Sequence, residues 1–282
     1  MILLTGATGR IGGVALSALV QAGESVRVLA RNPARLADAG PLVEAVAGDL
    51  DDPATLTPAM EGADRMLMLA PGPDIAAQDA AMIAAAQQAG LRQVVMVSSL
   101  GAELGGIAGG GPHLPGEALL KESGLGWTIL HPTEFMTNTI WWAETIRPTG
   151  SVFLPTGTGR VGFIDPADIG EVAAAVLTGD GHNGQIYRLT GPEALTTAAV
   201  AALIGQSRGE PVTHVDVTPE AMAEGMTQAG MPPPLIDMMV TYYGAVKEGR
   251  VDVVTDDVPR LLGRPARSFA HWLAGNAAVF ST

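Results

Sequence analysis

The residues with the clearest chemical meaning lie at the start of the chain, where Leu3–Gly12 reads LLTGATGRIG. The glycines Gly6, Gly9 and Gly12 follow an apolar run and precede an amphipathic stretch. A glycine lets the backbone approach a phosphate closely, and the N-terminus of a helix attracts an anion. The G-x-x-G-x-x-G spacing differs from the common G-x-G-x-x-G fingerprint, but its position predicts a dinucleotide-binding turn. The alternative is a turn with a structural role alone.

The end of the second apolar run distinguishes between the two nicotinamide dinucleotides. Sites for NAD usually carry an acidic residue about 20 residues beyond the glycines, where it binds the ribose hydroxyls. Here the run ends in Arg31, Arg35 follows, and no acidic residue stands between them. A guanidinium can bind a 2′-phosphate through charge-assisted hydrogen bonds. NADP(H) is therefore favoured over NAD(H), the alternative being that Arg31 is solvated in a loop.

Short apolar runs alternate with longer alanine-rich stretches along the first 190 residues. Short runs without polar alternation are typical of strands buried on both faces, and helices between such strands imply a parallel sheet. The expected fold class is therefore α/β, a doubly wound parallel sheet of the Rossmann type. The predicted strands are Ile2–Leu4, Ser25–Leu29, Val43–Ala47, Arg65–Leu69, Gln93–Val97 and Trp127–Leu130, and the predicted helices are Gly12–Ala22, Pro53–Met60, Asp74–Ala89 and Gly116–Ser123.

The pattern loosens from Thr133 onward, where short helical pieces are separated by prolines. Residues 1–132 are expected to form the dinucleotide-binding domain, completed by about 160–190. A smaller, mostly helical substrate-binding part is expected over 133–159 and 191–282. Gly101–Pro112 has six glycines in twelve residues and follows the fifth predicted strand, where open α/β sheets bind their ligands. This segment is interpreted either as a mobile lid or as a flexible surface loop.

Composition and charge exclude several classes of protein. The chain has 282 residues, no cysteine and a net charge of −13. Without cysteine there is no disulfide scaffold, thiolate metal site or cysteine nucleophile, and no metal-ligand cluster is evident. An acidic chain without a basic patch disfavours nucleic acid as a partner, and no apolar run is long enough for a membrane span. We expect a cytoplasmic protein that is a monomer or a homodimer.

Several further motifs extend along nearly the whole chain. They are TGATGRIG at Thr5–Gly12, ARNP at Ala30–Pro33, GDLDD at Gly48–Asp52, VSSLGA at Val97–Ala102, SGLGWTILHPTEFMTN at Ser123–Asn138, FIDPADIGEVAAAVLT at Phe163–Thr178, YRLTGPEALT at Tyr187–Thr196 and LLGRPARSFAHWL at Leu261–Leu273. Taken together they resemble the NmrA-like branch of the atypical short-chain dehydrogenase/reductases. The resemblance implies a Rossmann domain with a smaller C-terminal part that closes over a substrate cleft.

The resemblance also implies where the cofactor is contacted. The implied contacts are Gly6, Thr8, Gly9, Arg10 and Ile11 for the pyrophosphate, Arg31 for the 2′-phosphate, Asp49 and Leu50 for adenine, Leu69, Ala70 and Pro71 for the nicotinamide-side ribose, and Ser98 and Pro132 to Phe135 for the nicotinamide. Asp49 has an alternative role as the cap of the helix predicted at Pro53. The family often has arginine before the proline, where this chain has His131, so the role of His131 stays open.

The chain departs from the wider short-chain dehydrogenase family in its catalytic residues. That family protonates the reduced carbonyl with a Tyr-x-x-x-Lys pair that follows the fifth strand, but this chain has no tyrosine before Tyr187. A match at Tyr243–Lys247 comes far too late in the chain and is interpreted as a chance spacing on a helix. The oxyanion left by hydride transfer needs stabilisation and a proton. Candidates near the fifth strand are Ser98, Ser99, His113, Lys121 and His131.

Ser99 and His113 are the preferred catalytic candidates among these residues. Ser99 directly follows the fifth predicted strand and could hydrogen-bond a carbonyl, and an ordinary histidine titrates near neutral pH. Each also has a structural interpretation, with Ser99 as a cap and His113 as a structurally bonded or surface residue. Lys121 is interpreted as a solvated residue on a helix face, and Glu134 as a residue that caps or lines the cleft.

The missing tyrosine favours a substrate whose reduced form is already a stabilised anion. A quinone and an aromatic, polyketide-like ketone hydrogen-bonded to a neighbouring phenol both meet this condition. Large apolar side chains after the sixth predicted strand either offer flat or adaptable surface to such a substrate or belong to the core. They are Phe135, Met136, Trp141, Trp142 and those of the Met226–Met239 region. We expect an NADPH-dependent reductase of such a compound. The alternative is a non-catalytic, NADP-sensing regulator of the NmrA type, which also lacks the tyrosine.

Overall fold

A seven-stranded parallel sheet is the framework of the protein, whose computed structural model describes residues 1–36, 38–72, 74–107 and 110–281. In chain order the strands are β1 (Ile2–Leu4), β2 (Val26–Ala30), β3 (Val43–Ala47), β4 (Arg65–Met68), β5 (Gln93–Val97), β6 (Gly126–Pro132), β7 (Ser151–Phe153), β8 (Arg160–Val161), β9 (Gln185–Leu189), β10 (Leu195–Thr196) and β11 (Thr213–Val215). The large sheet has the order β3-β2-β1-β4-β5-β6-β9. The order reverses between β1 and β4, which is where doubly wound folds bind dinucleotides. The expected fold class is confirmed.

Helices connect these strands and build the C-terminal part. In chain order they are α1 (Arg10–Gln21), α2 (Leu56–Met60), α3 (Ile75–Ala89), α4 (Leu100–Glu103), α5 (Leu114–Glu122), α6 (Ala143–Thr149), α7 (Pro166–Thr178), α8 (Thr197–Arg208), α9 (Pro219–Gln228), α10 (Pro233–Lys247), α11 (Asp257–Leu262) and α12 (Phe269–Asn276). Short 3₁₀ segments occupy Pro33–Leu36, Pro53–Thr55, Gly111–His113, Met136–Trp142 and Ala277–Phe280. No helix of the described residues is long and apolar enough to cross a membrane.

Both faces of the large sheet are buried beneath helices. Leu4 and Val28 lie in the same core as buried residues of α1 and α7, whereas Leu3 and Leu29 lie in a core shared with α2 and α3. Neighbouring residues of one strand therefore enter opposite cores, as the alternating direction of strand side chains requires. This burial on both sides explains why the strands are continuous apolar runs rather than alternating patterns.

Helix α7 connects the end of the chain to the half that contains the large sheet. A Cβ atom on Gly170 would lie 2.7 Å from the Ile11 carbonyl oxygen, so the glycine lets α7 pack closely on α1. Asp168 of α7 is fully buried and pairs with the guanidinium groups of Arg264 and Arg267. The buried carboxylate is thus neutralised by two cations from the final segment of the chain.

The C-terminal part is mostly helical, as expected, and it has an apolar core of its own. Buried residues of α6, α8, α10 and α12 contribute to this core together with those of the short strands. Phe269 is at its centre, with ring centroids 5.8 Å from Phe163 and 5.3 Å from Trp272. Strands β7 and β11 pair in parallel, and β8 and β10 pair antiparallel.

Candidate dinucleotide and substrate site

The turn between β1 and α1 is built from glycines that leave no room for side chains. Gly6 has a φ of +67°, in the left-handed region that favours glycine. A Cβ atom on Gly12 would lie 2.3 Å from the Gly6 carbonyl oxygen, so Gly12 lets α1 pack directly against the turn. Gly9 caps α1 without a side-chain hydrogen bond, which leaves the first N–H groups of the helix available. This cradle fits a pyrophosphate, since the helix dipole adds to the free donors.

Three cationic side chains belong to the elements next to this cradle, and none of them has a carboxylate partner among the described residues. Arg10 is the first residue of α1, Arg31 follows β2, and Arg35 lies in the next 3₁₀ segment. All three are exposed, and among the described residues of 1–132 the arginines that form ion pairs are Arg27 and Arg92 instead. Unpaired guanidinium groups beside a phosphate cradle fit a phosphate-rich dinucleotide.

Polar contacts hold the neighbouring loops at the carboxyl edge of the sheet. Thr5 Oγ1 accepts a hydrogen bond from the Leu69 N–H at 2.8 Å, which ties the end of β1 to the end of β4. Gln78 donates to Asp51 Oδ1 at 2.7 Å and accepts from the Gly72 N–H at 3.1 Å. The backbone on both sides of the predicted Leu69–Pro71 contact is thus positioned by side chains from other elements.

Asp49 lies in the loop after β3, and the sequence left two roles open for it: contact with adenine and capping of the helix predicted at Pro53. Asp49 Oδ1 accepts a hydrogen bond from the Asp51 N–H at 3.2 Å, and Asp52 caps the 3₁₀ segment by accepting from the Ala54 N–H. The capping role at Pro53 therefore belongs to Asp52. Leu50 is partly buried against the core beneath α2 and α3, and the contact of Asp49 and Leu50 with adenine stays a prediction.

A polar group at the end of β5, which we call the Glu117 cluster, consists of the buried residues Ser98, Glu117 and His131 and the exposed Lys121. Ser98 Oγ donates to Glu117 Oε1 at 2.6 Å, and His131 Nε2 lies 2.7 Å from the same oxygen. Lys121 Nζ donates to Glu117 Oε2 at 3.0 Å. Burial alone would raise the pKa of Glu117, but the hydrogen bonds from His131, Ser98 and Lys121 outweigh it and lower the pKa to about 2. Glu117 is therefore an anion that fixes the orientation of Ser98.

The Glu117 cluster continues to the surface through His131. His131 Nδ1 lies 3.3 Å from Glu103 Oε2, and Glu103 in turn forms an ion pair with Arg188 on β9. In this chain the position at which the related family often has arginine is thus a buried histidine between two carboxylates. Three of the candidates named from the sequence, Ser98, Lys121 and His131, lie together, and the carboxylate that joins them was missed.

The two preferred catalytic candidates have different neighbours in the structure. Ser99 Oγ accepts a hydrogen bond from the Gly101 N–H at 3.1 Å and so caps α4. His113 Nδ1 lies 3.9 Å from Asp79 Oδ2 on α3, and among the described residues neither buried atom has a hydrogen-bond partner. Burial lowers the pKa of His113 below its ordinary value. Their catalytic roles stay predictions.

The glycine-rich segment after β5 is closely packed over its described residues. A Cβ atom on Gly101 would lie 1.9 Å from the Ile107 carbonyl oxygen, and one on Gly110 would lie 2.0 Å from the Ala102 nitrogen. These glycines let the segment fold back onto α4. Ala108 and Gly109, which belong to the same predicted lid or loop, lie outside the described residues.

A second polar pair joins the end of β6 to the C-terminal part. The Tyr242 hydroxyl on α10 donates to Glu134 Oε2. Burial raises the pKa of Glu134 to about 7, although the hydrogen bond from Tyr242 lowers it. The contact of Tyr242 with Glu134 is not predictable from the sequence, because 108 residues separate the partners and no local spacing connects them.

The neighbouring tyrosine has a different environment. Tyr243 is buried in the C-terminal core, and Lys247, four residues later on α10, forms an ion pair with Asp216 at 3.5 Å. The Tyr-x-x-x-Lys match is therefore on a helix of the C-terminal part, as interpreted from the sequence.

The apolar residues that follow β6 differ in exposure. Met136 and Trp142 are buried in the C-terminal core, so for them the core interpretation holds. Phe135 is partly buried. Trp141 is 58% exposed and leaves a large apolar side chain at the surface. Met226 and Met239 are partly buried against the same core.

Known proteins are similar to this chain along most of its length. A family model described as NAD(P)H-binding matches residues 6–180, more than half of the chain. An NAD(P)H azoreductase from Xenophilus azovorans is 38% identical over 99% of both chains. A (4-alkanoyl-5-oxo-2,5-dihydrofuran-3-yl)methyl phosphate reductase from Streptomyces griseus is 36% identical over 100% of this chain and 99% of its own.

Solved structures agree with these matches. The NADPH-dependent quinone oxidoreductase QOR2 from Escherichia coli, in its complex with NADPH, is 26% identical and has a TM-score of 0.90, covering 98% of this chain and 99% of its own. NmrA is among the structures with the same fold, and the resemblance inferred from the motifs is confirmed. The chain belongs to the NAD(P)H-binding family and is an NAD(P)H-dependent oxidoreductase.

Proposed function

We propose that the protein is an NADPH-dependent reductase whose substrate is a conjugated aromatic acceptor, namely a quinone, an azo compound or a polyketide-like ketone. The observation that carries the proposal is the phosphate cradle of Gly6, Gly9 and Gly12, with exposed arginines on the neighbouring elements that are unpaired among the described residues. The names of the azoreductase and quinone oxidoreductase relatives support the class of acceptor. The aromatic side chains Phe135 and Trp141, which follow β6, offer flat apolar surface.

The backbone and arginines of this chain would hold the dinucleotide along the carboxyl edge. The residues proposed to contact it are Gly6, Thr8, Gly9, Arg10 and Ile11 at the pyrophosphate, Arg31 at the 2′-phosphate, Asp49 and Leu50 at adenine, and Leu69, Ala70, Pro71, Ser98 and Pro132 on the nicotinamide side. Arg31 gives the preference for NADPH over NADH, since its guanidinium is exposed and unpaired within the described residues. When bound, the reduced nicotinamide supplies the hydride.

The residues after β5 would orient the acceptor rather than donate its proton. Ser98 is held by Glu117, an anion that accepts its hydroxyl proton in a hydrogen bond. Ser98 can therefore position a neighbouring group through its lone pairs but has its hydrogen already engaged. Ser99 and His113 stay candidates for contact with the acceptor, each with its structural contact in place.

The proposal is tested by steady-state kinetics with both dinucleotides. The acceptors are a naphthoquinone, an azobenzene dye and a hydroxyanthraquinone ketone. We expect turnover with at least one of them and a higher kcat/KM for NADPH than for NADH. Arg31→Ala should lower kcat/KM for NADPH by about 10- to 100-fold, the value of one or two charge-assisted hydrogen bonds, and leave the value for NADH unchanged.

Arg250→Ala is the matched control, because Arg250 is exposed and pairs with Glu248 in the C-terminal part. It should leave both values unchanged. Absence of oxidation of NADPH with every acceptor would overturn the proposed substrate class. Equal values for the two dinucleotides, with Arg31→Ala no different from the wild type, would overturn the proposed preference.

A further inference from the structure

The carboxyl group of Glu134 is held where the sheet and the C-terminal part meet. Glu134 lies two residues beyond Pro132, the last residue of β6. Its carbonyl oxygen accepts from the Ile164 N–H at 2.9 Å, and Ile164 in turn accepts from the Met136 N–H at 2.9 Å. The backbone that carries Glu134 is thus fixed on both sides, while Tyr242 of α10 fixes one oxygen of its side chain.

The second oxygen of this carboxyl group has no partner inside the protein. Oε2 accepts the hydrogen bond from Tyr242, and no described residue donates to Oε1. Oε1 is also not one of the fully buried unpaired atoms, which among the described residues are Asp79 Oδ2 and His113 Nδ1. Glu134 as a residue is partly buried, so an opening reaches Oε1 from outside.

Because Tyr242 donates to Oε2, a protonated Glu134 carries its hydrogen on Oε1. That hydrogen points away from the Tyr242 contact and toward the accessible side. Tyr242 itself is a poor acid, since burial and then the neighbouring Glu134 raise its pKa well above the ordinary value. Within this pair the carboxyl group is therefore the proton source, and the phenol is its support.

We propose that Glu134 donates the proton of the reduction and that Tyr242 is a positioning residue that orients its carboxyl group. This inference rests on the proposed reductase function. It assigns to Glu134 the part that the missing Tyr-x-x-x-Lys pair leaves open, and it places the substrate atom that receives the proton beside Oε1. The protein can then reduce ketones and azo compounds, which need a proton during reduction, as well as quinones.

The reaction balances with one hydride and one proton. The hydride from the reduced dinucleotide adds its two electrons to the acceptor, and the negative oxygen or nitrogen that results takes the proton from Glu134 Oε1. Glu134 is left as a carboxylate that still accepts the hydrogen bond from Tyr242, and it regains a proton from solvent through the same opening. The dinucleotide ends oxidised and the acceptor reduced, with no other reactant.

The environment of Glu134 suits this role near neutral pH. Burial raises its pKa to about 7, and the best general acids have a pKa near the working pH. The titratable side chains that face it among the described residues are Tyr242 and Tyr243, both on α10 and both with raised pKa values. Neither of them is charged at neutral pH, so the proton of Glu134 has no competing base beside it.

The experiment is a pH profile of kcat/KM between pH 5 and 9 with the ketone or azo acceptor. For the wild type we expect kcat/KM to fall as the pH rises through about 7. Glu134→Gln keeps the shape of the side chain but has no acidic proton, so it should lower kcat/KM at pH 6 by about 100-fold or more and remove this decline. The loss should be smaller with the quinone, whose reduced anion is more stable.

Tyr242→Phe is the second variant, and it tests the support separately. Since the hydrogen bond from Tyr242 lowers the pKa of Glu134, its removal should move the decline of kcat/KM to higher pH. Tyr243→Phe is the matched control, because it makes the same chemical change at the next residue, which does not donate to Glu134. It should leave the position of the decline unchanged.

Binding of NADPH, measured by its fluorescence, should match the wild type in every variant, and thermal unfolding is recorded to show that each variant is folded at the assay temperature. A wild type without turnover overturns the proposed function and this inference with it. A wild type that is active while Glu134→Gln keeps the same rate and the same decline overturns the inference alone. A decline that stays in place in Tyr242→Phe overturns the role of Tyr242.

Discussion

Asp79 and His113 face each other without a hydrogen bond, their Oδ2 and Nδ1 atoms 3.9 Å apart. Both atoms are buried and unpaired within the described residues. Gly116 of α5 makes room for this contact, since a Cβ atom there would lie 2.4 Å from Asp79 Oδ2. The pair joins α3 to the end of the glycine-rich segment, so its charge state bears on how firmly that segment is held.

Asp79 should make the protein less stable as the pH rises. Burial, and then the charge of Glu117, raise its pKa from 3.8 to about 7. Between these two values the folded state keeps a proton that the unfolded state has lost, so the free energy of unfolding falls with rising pH, by up to about 4 kcal/mol. Asp79→Asn does not titrate. It should therefore gain stability over the wild type at pH 8 and gain much less at pH 5, as measured by urea unfolding.

The matched control for this prediction is Asp237→Asn on α10, where the aspartate is exposed. Its difference from the wild type should be small and the same at both pH values. If the difference in unfolding free energy between the wild type and Asp79→Asn stayed constant from pH 5 to 8, Asp79 would be ionised throughout this range.

Glu117 should stabilise the protein, and this contribution should be lost as the pH falls. Its pKa is lowered from 4.5 to about 2 by hydrogen bonds that outweigh burial. Its contribution is therefore complete above pH 4.5 and is lost as the pH falls toward 2, and it amounts to about 3 kcal/mol. Glu117→Gln should lower the free energy of unfolding by about this amount at pH 7 and by much less at pH 3, again in urea.

Glu122→Gln is the control for Glu117, since it makes the same change on the exposed side of α5. It should have little effect at either pH. If Glu117→Gln were as stable as the wild type at pH 7, the hydrogen bonds from Ser98, Lys121 and His131 would contribute nothing net, and Ser98 would not be fixed by them.

Local features of the site were predictable from the sequence, whereas contacts between distant residues were not. Gly6, Gly9 and Gly12 act within one turn, so their spacing alone indicates a phosphate cradle. The Glu117 cluster depends on the register of two strands: Val97 pairs with Leu130, which brings Ser98 beside His131. The register between two strands cannot be predicted from the spacing of residues along the chain.

The ends of strands and helices were likewise less predictable than their positions. The predicted second strand Ser25–Leu29 is β2 at Val26–Ala30, a shift of one residue, because the apolar pattern locates a strand but not its hydrogen bonds. The sequence predicts that the fourth helix begins at Gly116, whereas α5 begins at Leu114. Pro115 is accommodated there, since the first turn of a helix needs no N–H from its residues.

Gly12 provides the most direct test of the phosphate cradle. A methyl group at this position would lie 2.3 Å from the Gly6 carbonyl oxygen, closer than any real contact of this kind, so α1 and the turn would have to separate. Gly12→Ala should raise the Kd for NADPH, measured by fluorescence, by at least about tenfold, and lower the free energy of unfolding by about 1–3 kcal/mol. Gly225→Ala on α9 is the control, because no atom lies within 4 Å of its added methyl group. That change should leave the Kd unaltered and stabilise the helix slightly. Unaltered binding in Gly12→Ala would mean that the turn after β1 does not hold the pyrophosphate.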